Sequence, residues 1–318
     1  MSFSAVFTVS QTALELGLFS ALTVLALFLS YSMLNVCDLS TDGCFTLGAA
    51  VGAVVALAGH PWLSLLAAMC AGILSGLLTA FLQTRMGVDS LLSGIIVNTG
   101  LYSINIAIMG NSSLLNMNKT ETVFTKLKEL LTDTPFQAQY KTIIALAAVL
   151  LVSVFLFFFL KTRLGLAIRA TGNNPAMVRS SSINPIFTTT VGLCVAGSFT
   201  ALSGCLLAQS QKSVNIDIGS GMVTVALASL LIGNAFFGKK KIGWRLFGTV
   251  VGAFLFRLVY TIALRFHMPA FMLKLVSAVI VVIAISAPYL KSRYPMLKRR
   301  LTLHRANDTN GKEKGDAA

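Results

Sequence analysis

Residues 141–160 read KTIIALAAVLLVSVFLFFFL, a stretch whose polar residues are limited to Lys141, Thr142 and Ser153. An α-helix of about 20 apolar residues is long enough to cross the ~30 Å hydrocarbon layer of a bilayer. Apolar blocks of similar length recur along the chain, which excludes a single membrane anchor. We predict about nine membrane segments, at residues 12–36, 44–59, 62–83, 90–110, 141–160, 188–208, 220–237, 246–265 and 270–290. The sequence therefore predicts an all-α, polytopic membrane helical bundle.

The composition agrees with this fold class. Of the 318 residues, 55% are hydrophobic and 11% are charged, whereas soluble domains carry about 25% charged residues. The formal net charge of +14 arises from Lys and Arg in the loops and in the C-terminal tail. The positive-inside rule explains this distribution without a nucleic-acid partner. The five cysteines include no CxxC pair and no nearby histidine, so we predict no metal site and no disulfide framework.

The basic residues also predict the orientation of the chain. Most of the 25 Lys and Arg residues fall in alternate loops, which the positive-inside rule assigns to the cytoplasm. Residues 161–187 and 238–245 are then cytoplasmic and residues 111–140 extracytoplasmic. We divide the chain into a transmembrane domain, residues 1–290, and a basic cytoplasmic tail, residues 291–318. With nine spans the N-terminus lies outside.

Two polar breaks indicate a transport path. Asp38-Leu-Ser-Thr-Asp-Gly43 precedes an unusually short apolar block, and Asp217-Ile-Gly-Ser-Gly221 precedes another. Breaks of this kind mark discontinuous helices that line a path across the membrane, although a tight turn is the simpler interpretation. In the predicted topology the two copies run in opposite directions, as in inverted repeats. Each copy is followed by a Gly-x-x-x-Gly helix, which also serves close packing in general; the glycines are Gly72, Gly76, Gly248 and Gly252.

The role of the charges at the first break stays open at this stage. Asp38 and Asp42 could attract a cationic solute, or they could cap the helix that starts near Gly43. Arg257 lies deep inside a predicted span. It could pair with Asp38 or Asp217, or line a wet cavity.

Two loop features bear on partners. Gly233-Asn-Ala-Phe-Phe-Gly238-Lys239-Lys240 approaches the phosphate-binding pattern, but it ends a membrane helix and lacks the final hydroxyl residue. Any ATP hydrolysis must therefore come from another subunit. Apolar residues between 123 and 131 recur at helical spacing, which predicts a short amphipathic helix at the outer surface. It either caps the bundle or docks an extracytoplasmic partner.

The cytoplasmic stretch Thr162–Pro185 contains a second short helix. Asn174 and Pro175 have the residue types preferred at the N-cap and first position of a helix, and Pro185 should stop that helix before the next span. A short rigid helix between two membrane helices is suited to pushing against a soluble partner.

This stretch resembles the cytoplasmic coupling segment of ABC importer permeases of the branched-chain amino acid and ribose type. The matching residues are Arg163, Gly165, Arg169, Ala170, Gly172, Asn174, Pro175 and Met177. The two polar breaks resemble the pore-side motifs of the same family. Together with Asp-Leu-x-x-Asp-Gly, the Asn-Pro-x-Met run is most similar to the subgroup linked to tryptophan and tyrosine-like solutes. Ser182 departs from the family, where Gly is usual.

The resemblance implies a vitamin-B12-permease-like importer fold in a bacterial inner membrane. It implies two permease chains, most simply a homodimer, two ATPase chains that bind ATP and Mg, and an extracytoplasmic substrate-binding protein. This chain would then be no enzyme, with no catalytic residue and no cofactor of its own. The implied translocation pathway comprises Asp38, Leu39, Asp42, Gly43, Asn98, Asp217, Gly219, Gly221 and Arg257. The competing interpretations are an ion-coupled secondary transporter and a membrane enzyme.

Overall fold

The structure is a computed structural model of the chain. The structure describes residues 3–118, 120–130, 139–237 and 241–265, and isolated residues between 275 and 286. The ninth predicted span, the tail 291–318, Lys239 and Lys240 lie wholly or largely outside the described residues. The extents of the two predicted domains stay predictions.

The described chain is almost entirely helical. The helices are α1 (Phe3–Leu27, continued as a π-helical stretch Phe28–Met33), α2 (Thr41–Leu57), α3 (Pro61–Thr84), α4 (Ser90–Ile108), α5 (Val123–Leu130), α6 (Tyr140–Phe159), α7 (Arg163–Asn173), α8 (Pro175–Ser180), α9 (Pro185–Gln211), α10 (Met222–Phe237) and α11 (Ile242–Arg265). Two strands, β1 (Leu114–Asn116) and β2 (Ser213–Asn215), pair antiparallel with Leu114 opposite Asn215. The predicted helical fold class is confirmed, and the described residues add one short ribbon that the sequence did not predict.

Six described helices are long and apolar enough to cross a membrane, namely α1 with its π-helical end, α3, α4, α6, α9 and α11. The helices α2 and α10 are apolar but shorter. Eight of the nine predicted segments thus correspond to helices of the described chain. The chain is a polytopic helical membrane protein.

The centre of the bundle is formed by α1 and α9. In their apolar windows 78% and 83% of the residues are buried, against 22% in α6. Small residues allow α9 to touch its neighbours backbone to backbone. A Cβ on Gly72 of α3 would overlap the Gly197 carbonyl oxygen, and one on Gly48 of α2 would overlap Ala201.

The glycines expected to repeat in α3 and α11 do not face equivalent neighbours. Gly72 and Gly76 of α3 contact α9, whereas Gly248 and Gly252 of α11 contact α10. Close packing of small residues is therefore sufficient to explain both pairs.

The predicted break before α2 is present. Residues 34–40 are non-helical between the end of α1 and Thr41, and Asn35 adopts a positive φ of 57°. The helix α2 begins three residues before the predicted segment because its first turn tolerates the polar residues Thr41 and Asp42. The 17 residues of α2 span about 25 Å, which is less than the ~30 Å hydrocarbon layer.

The second break approaches the first. Val214 and Ile216 pack against the alanines of α2, including Ala53. Further along, Gly219 touches the backbone of Asp42. The chain from β2 to α10 therefore runs antiparallel along α2, and the first turns of α2 and α10 meet end to end.

The loop helix α5 confirms the predicted amphipathic helix within residues 123–130. Val123 and Phe124 are each 2% exposed, and the Phe124 ring meets that of Phe19 edge-on with centroids 5.8 Å apart. The Val123 N–H donates to Oε1 of the buried Gln209 at 3.0 Å. These contacts make α5 a cap on the bundle.

Candidate functional site

A polar cavity lies where the two breaks meet α4. Its volume is about 320 Å³. The lining residues come from α2, α4 and the segment before α10, and are Asp42, Gly43, Thr46, Asn98, Thr99, Tyr102, Asn105, Ile216, Asp217 and Ser220. Four of the predicted pathway residues, Asp42, Gly43, Asn98 and Asp217, therefore share one cavity.

Asp42 joins the two broken segments. Its Oδ2 accepts from the Gly221 N–H at 2.9 Å and its Oδ1 from the Val223 N–H at 2.8 Å. A carboxylate in this position satisfies free N–H groups of the first turn of α10 and interacts favourably with the positive end of its dipole. A Cβ on Gly219 would overlap the Asp42 carbonyl oxygen, so only glycine allows this approach. Gly219 and Gly221 thus hold the site together without lining it.

The α4 wall is polar at helical spacing. The Asn105 Nδ2 donates to the Gly43 carbonyl oxygen at 3.2 Å, which fixes the orientation of the amide. Its Oδ1 has no hydrogen-bond partner among the described residues, although the side chain is 1% exposed. A Cβ on Gly43 would lie 2.7 Å from the Asn98 Oδ1, so a larger residue here would displace the Asn98 side chain. The wall leaves a buried acceptor beside the cavity.

Asp217 adds a negative charge at the opposite wall. Its backbone N–H donates to the Asn215 Oδ1 at 3.1 Å, and its side chain is exposed. Within the described ranges its carboxylate has no hydrogen bond and no ion pair. Together with the Asn105 Oδ1, it makes the cavity rich in acceptors. A solute that donates hydrogen bonds, above all one carrying an ammonium group, matches this chemistry.

Asp38 lies outside the cavity and takes part in the turn before α2. Its Oδ1 accepts from the Ser40 N–H at 2.9 Å and from the Ser40 Oγ at 2.6 Å. The Thr79 hydroxyl of α3 donates in turn to the Ser40 Oγ at 3.1 Å. This is local turn chemistry, in which the acid satisfies donors at the start of a helix.

The predicted pairing of Asp38 with Arg257 is wrong in this structure. The Arg257 Nε donates to the Ser20 Oγ of α1 at 3.4 Å, and its guanidinium lies 5.6 Å from the Tyr260 ring centroid. Asp217 does not pair with Arg257 either. The reason is geometric: Arg257 faces α1, whereas Asp38 is held by its own turn. Leu39 also lies beside the cavity rather than in it, against Gly94 of α4.

The segment predicted to be cytoplasmic contains two helices, α7 and α8, of which the sequence predicted the second. The Thr162 hydroxyl accepts from the Gly165 N–H at 3.2 Å and caps α7. The Asn174 Oδ1 accepts from the N–H groups of Ala176 and Met177 and caps α8. The prediction that Pro185 ends α8 is wrong. Pro185 occupies the first turn of α9, after the N-cap Asn184.

The end of α8 shows why related permeases usually have glycine where this chain has Ser182. The Ile183 N–H donates to the Val178 carbonyl oxygen, and the Ser182 N–H to that of Arg179, each at 3.2 Å. These are the two hydrogen bonds of a Schellman motif, whose C′ residue adopts the left-handed region and is usually glycine. Ser182 occupies that position with a φ of 58°. The motif forms with serine, but with a Cβ in a disfavoured conformation.

The predicted coupling residues fall into two groups. Some pack against membrane helices, and the others are exposed. Gly165 packs against Phe159 and Leu160 at the end of α6, and Gly172 against the Met33 carbonyl oxygen at the end of α1. Met177 at the middle of α8 is 67% exposed. Arg163, Ala170, Asn174 and Pro175 are also exposed, and Arg169 is half-buried. The segment is thus attached firmly to two membrane helices and presents α8 outward.

Sequence reasoning missed six of the cavity residues. These are Thr46, Thr99, Tyr102, Asn105, Ile216 and Ser220. A signal existed for α4, because Asn98, Tyr102 and Asn105 recur at spacings of four and three within an apolar span and so share one helix face.

These observations define a class of protein: a polytopic permease with a polar cavity formed by broken helices. Residues 12–285 match the family of permease components of branched-chain amino acid transport systems, and the chain belongs to this family. It is 32% identical over 268 residues to a tyrosine transport system permease protein of Clostridioides difficile, covering 84% of this chain and 86% of that relative. No solved structure matches the chain.

Other relatives differ in their named solutes. The chain is 30% identical over 190 residues to the guanosine ABC transporter permease NupQ of Bacillus subtilis, covering 55% of this chain and 57% of that protein. It is 26% identical over 191 residues to the galactose/methyl galactoside import permease MglC of Haemophilus influenzae, covering 60% and 53%. The chain is therefore an ABC importer permease of the branched-chain and ribose type, rather than an ion-coupled transporter or an enzyme.

Proposed function

We propose that this chain forms the translocation pathway for an amino-acid-like solute that a binding protein delivers and ATP drives across the inner membrane. The observation that carries the proposal is the cavity between α2, α4 and the segment before α10. Its volume of about 320 Å³ lies at the lower end of the range for small-molecule sites. Its free acceptors, the Asp217 carboxylate and the Asn105 Oδ1, favour a solute with an ammonium group over a neutral sugar. The similarity to a tyrosine permease supports the same class.

The remaining parts of the importer belong to the same proposal. Two copies of this chain form a homodimer with nine spans each, inverted repeats and a vitamin-B12-permease-like fold, and the C-terminus is cytoplasmic. Partner ATPases bind ATP and Mg and contact α8, which is supported by the exposure of Met177 and its neighbours. Because Gly165 and Gly172 anchor α7 to α6 and α1, a displacement of α8 is transmitted to the membrane helices.

Alternating access links these parts. ATP can drive transport only if it binds more tightly to the state with closed ATPases than to the open state. In this scheme α1 conveys the motion, since its cytoplasmic end touches Gly172 and its continuation is the break before Asp42. Arg169 and Asn174 serve ATPase engagement rather than solute binding.

The test is transport by the reconstituted importer. The chain is co-purified with its partner ATPase and binding protein, placed in proteoliposomes, and supplied with labelled L-tyrosine, guanosine or galactose. We expect ATP-dependent uptake of the amino acid, and its loss in Asp217→Asn with ATPase assembly intact. Uptake of guanosine or galactose alone would contradict the proposed solute class. Uptake that persists without ATP and collapses with an ionophore would contradict the ATP-driven mechanism.

A further inference from the structure

A groove runs between α3 and α9 near the ends that are predicted to face the cytoplasm. The two helices touch at Gly72 and Gly76, where glycine lets the backbones meet. Nearer these ends the two helices leave a groove of about 300 Å³ between them. Its walls are mainly apolar, with Leu77, Phe81 and Phe187 about half exposed. Thr84 and Thr190 also line it, and their hydroxyls donate to carbonyl oxygens of their own helices. The groove therefore offers hydrocarbon contact along the outside of the bundle.

The mouth of this groove is positive and donates hydrogen bonds. Arg85, which follows the last residue of α3, lines it and is exposed, and it has no ion pair in the described part of the chain. Asn184 also lines the groove, and its Oδ1 accepts from the Ile186 N–H at 3.0 Å, which leaves its Nδ2 as the group able to donate to a ligand. A charged guanidinium beside amide donors is suited to a phosphate group.

We propose that this groove binds one anionic phospholipid of the cytoplasmic leaflet. Its phosphate contacts Arg85 and Asn184, and an acyl chain follows Leu77, Phe81 and Phe187. The groove has a basic end and an apolar remainder. A phospholipid has the matching arrangement, with an anionic headgroup followed by apolar acyl chains. Basic pockets between membrane helices on the cytoplasmic side commonly hold anionic headgroups. A soluble phosphate would leave the apolar walls unused.

The position of the groove gives the lipid a structural consequence. Asn184 is the N-cap of α9 and the last residue before that helix, directly after the cytoplasmic segment that contains α7 and α8. A lipid bound here bridges the end of α3 and the end of that segment.

The experiment measures lipid retention on the purified full chain by native mass spectrometry. The protein is released from detergent mixed with equal amounts of phosphatidylglycerol and phosphatidylcholine. We expect wild-type protein to retain phosphatidylglycerol preferentially. Arg85→Gln should lower that preference about fivefold, since one basic residue near an anionic surface contributes on the order of 1 kcal/mol. Arg85→Lys should retain most of it, because the charge remains.

Lys161→Gln is the matched control. It removes one positive charge at the predicted cytoplasmic end of α6, where Lys161 lies 4.1 Å from the Phe157 ring centroid and outside the groove. Its lipid preference should equal that of the wild type. Equal retention of both lipids by the wild type would overturn the proposal. So would an unchanged preference in Arg85→Gln, or the same loss in Lys161→Gln, which would indicate diffuse attraction to the whole surface. A disulfide formed between two copies through cysteines at positions 81 and 187 would show the groove to be a protein interface instead.

Discussion

Replacing Asp42 should destabilise the fold more than replacing Asp38. Its two carboxylate oxygens accept from the N–H groups of Gly221 and Val223 and hold the start of α10 against α2. Hydrogen bonds to charged groups contribute about 1.5–3 kcal/mol each, so Asp42→Ala should lower the free energy of unfolding by about 3–6 kcal/mol. Asp42→Asn keeps one acceptor but turns an amide NH₂ toward an N–H donor. It should lower the free energy of unfolding by about half as much.

Asp38→Asn is the matched control on the neighbouring acid. A single oxygen of Asp38 accepts both hydrogen bonds from Ser40, and asparagine supplies that oxygen equally well. The expected loss is below about 1 kcal/mol, because an asparagine side chain can form the same turn. In this structure Asp38 neither pairs with Arg257 nor lines the cavity, so no contact among the described residues requires its charge.

Thermal unfolding in detergent, followed by fluorescence of the two tryptophans, ranks the variants. The expected order of Tm is wild type, Asp38→Asn, Asp42→Asn and Asp42→Ala, with the last lower by on the order of 10 °C. Equal Tm values for Asp38→Asn and Asp42→Asn would refute the bridging role of Asp42. Lost transport in Asp38→Asn at normal protein level would restore a role for its charge.

Three further predictions test other parts of the fold. Ser182→Gly relieves a Cβ at a φ of 58° and should stabilise the protein by about 0.5–1 kcal/mol, seen as a small rise in Tm; a fall would contradict the Schellman assignment. Gly48→Ala forces a Cβ into the backbone of α9 and should abolish the monodisperse peak in size-exclusion chromatography, whereas Gly100→Ala, with nothing within 4 Å, should leave it unchanged. In a cysteine-less background, a cysteine replacing Lys126 should react with an impermeant maleimide in intact cells, and one replacing Arg179 only after permeabilisation. The opposite pattern would reverse the orientation.

The helices and their caps follow from local sequence. Asn174 and Pro175 could be assigned to the start of α8 because capping involves a side chain and the N–H groups two and three residues later. The break after α1 was visible because polar residues interrupt an apolar run. The end of α8 could not be predicted in the same way. The turn at position 182 has a positive φ, which glycine would have indicated and serine does not.

The cavity was only partly visible in the sequence. The two Asp-containing breaks pointed to Asp42 and Asp217, but Asn105 and Tyr102 were missed although they share a helix face with Asn98. The mean hydropathy of α4 does not reveal this polar face, because it averages the residues on all faces of the helix.

The sequence by itself determined the class of the fold, since a backbone in hydrocarbon must satisfy its hydrogen bonds internally and long apolar runs can do so only as helices. It also determined the family. The tertiary structure decided which acid joins two helices and which one only stabilises a local turn. Asp42 meets Gly221 across 179 residues of sequence, whereas Asp38 is satisfied two residues away at Ser40. Partners at such a distance are selected by packing of small residues between helices, a property of the assembled bundle that no window of sequence contains.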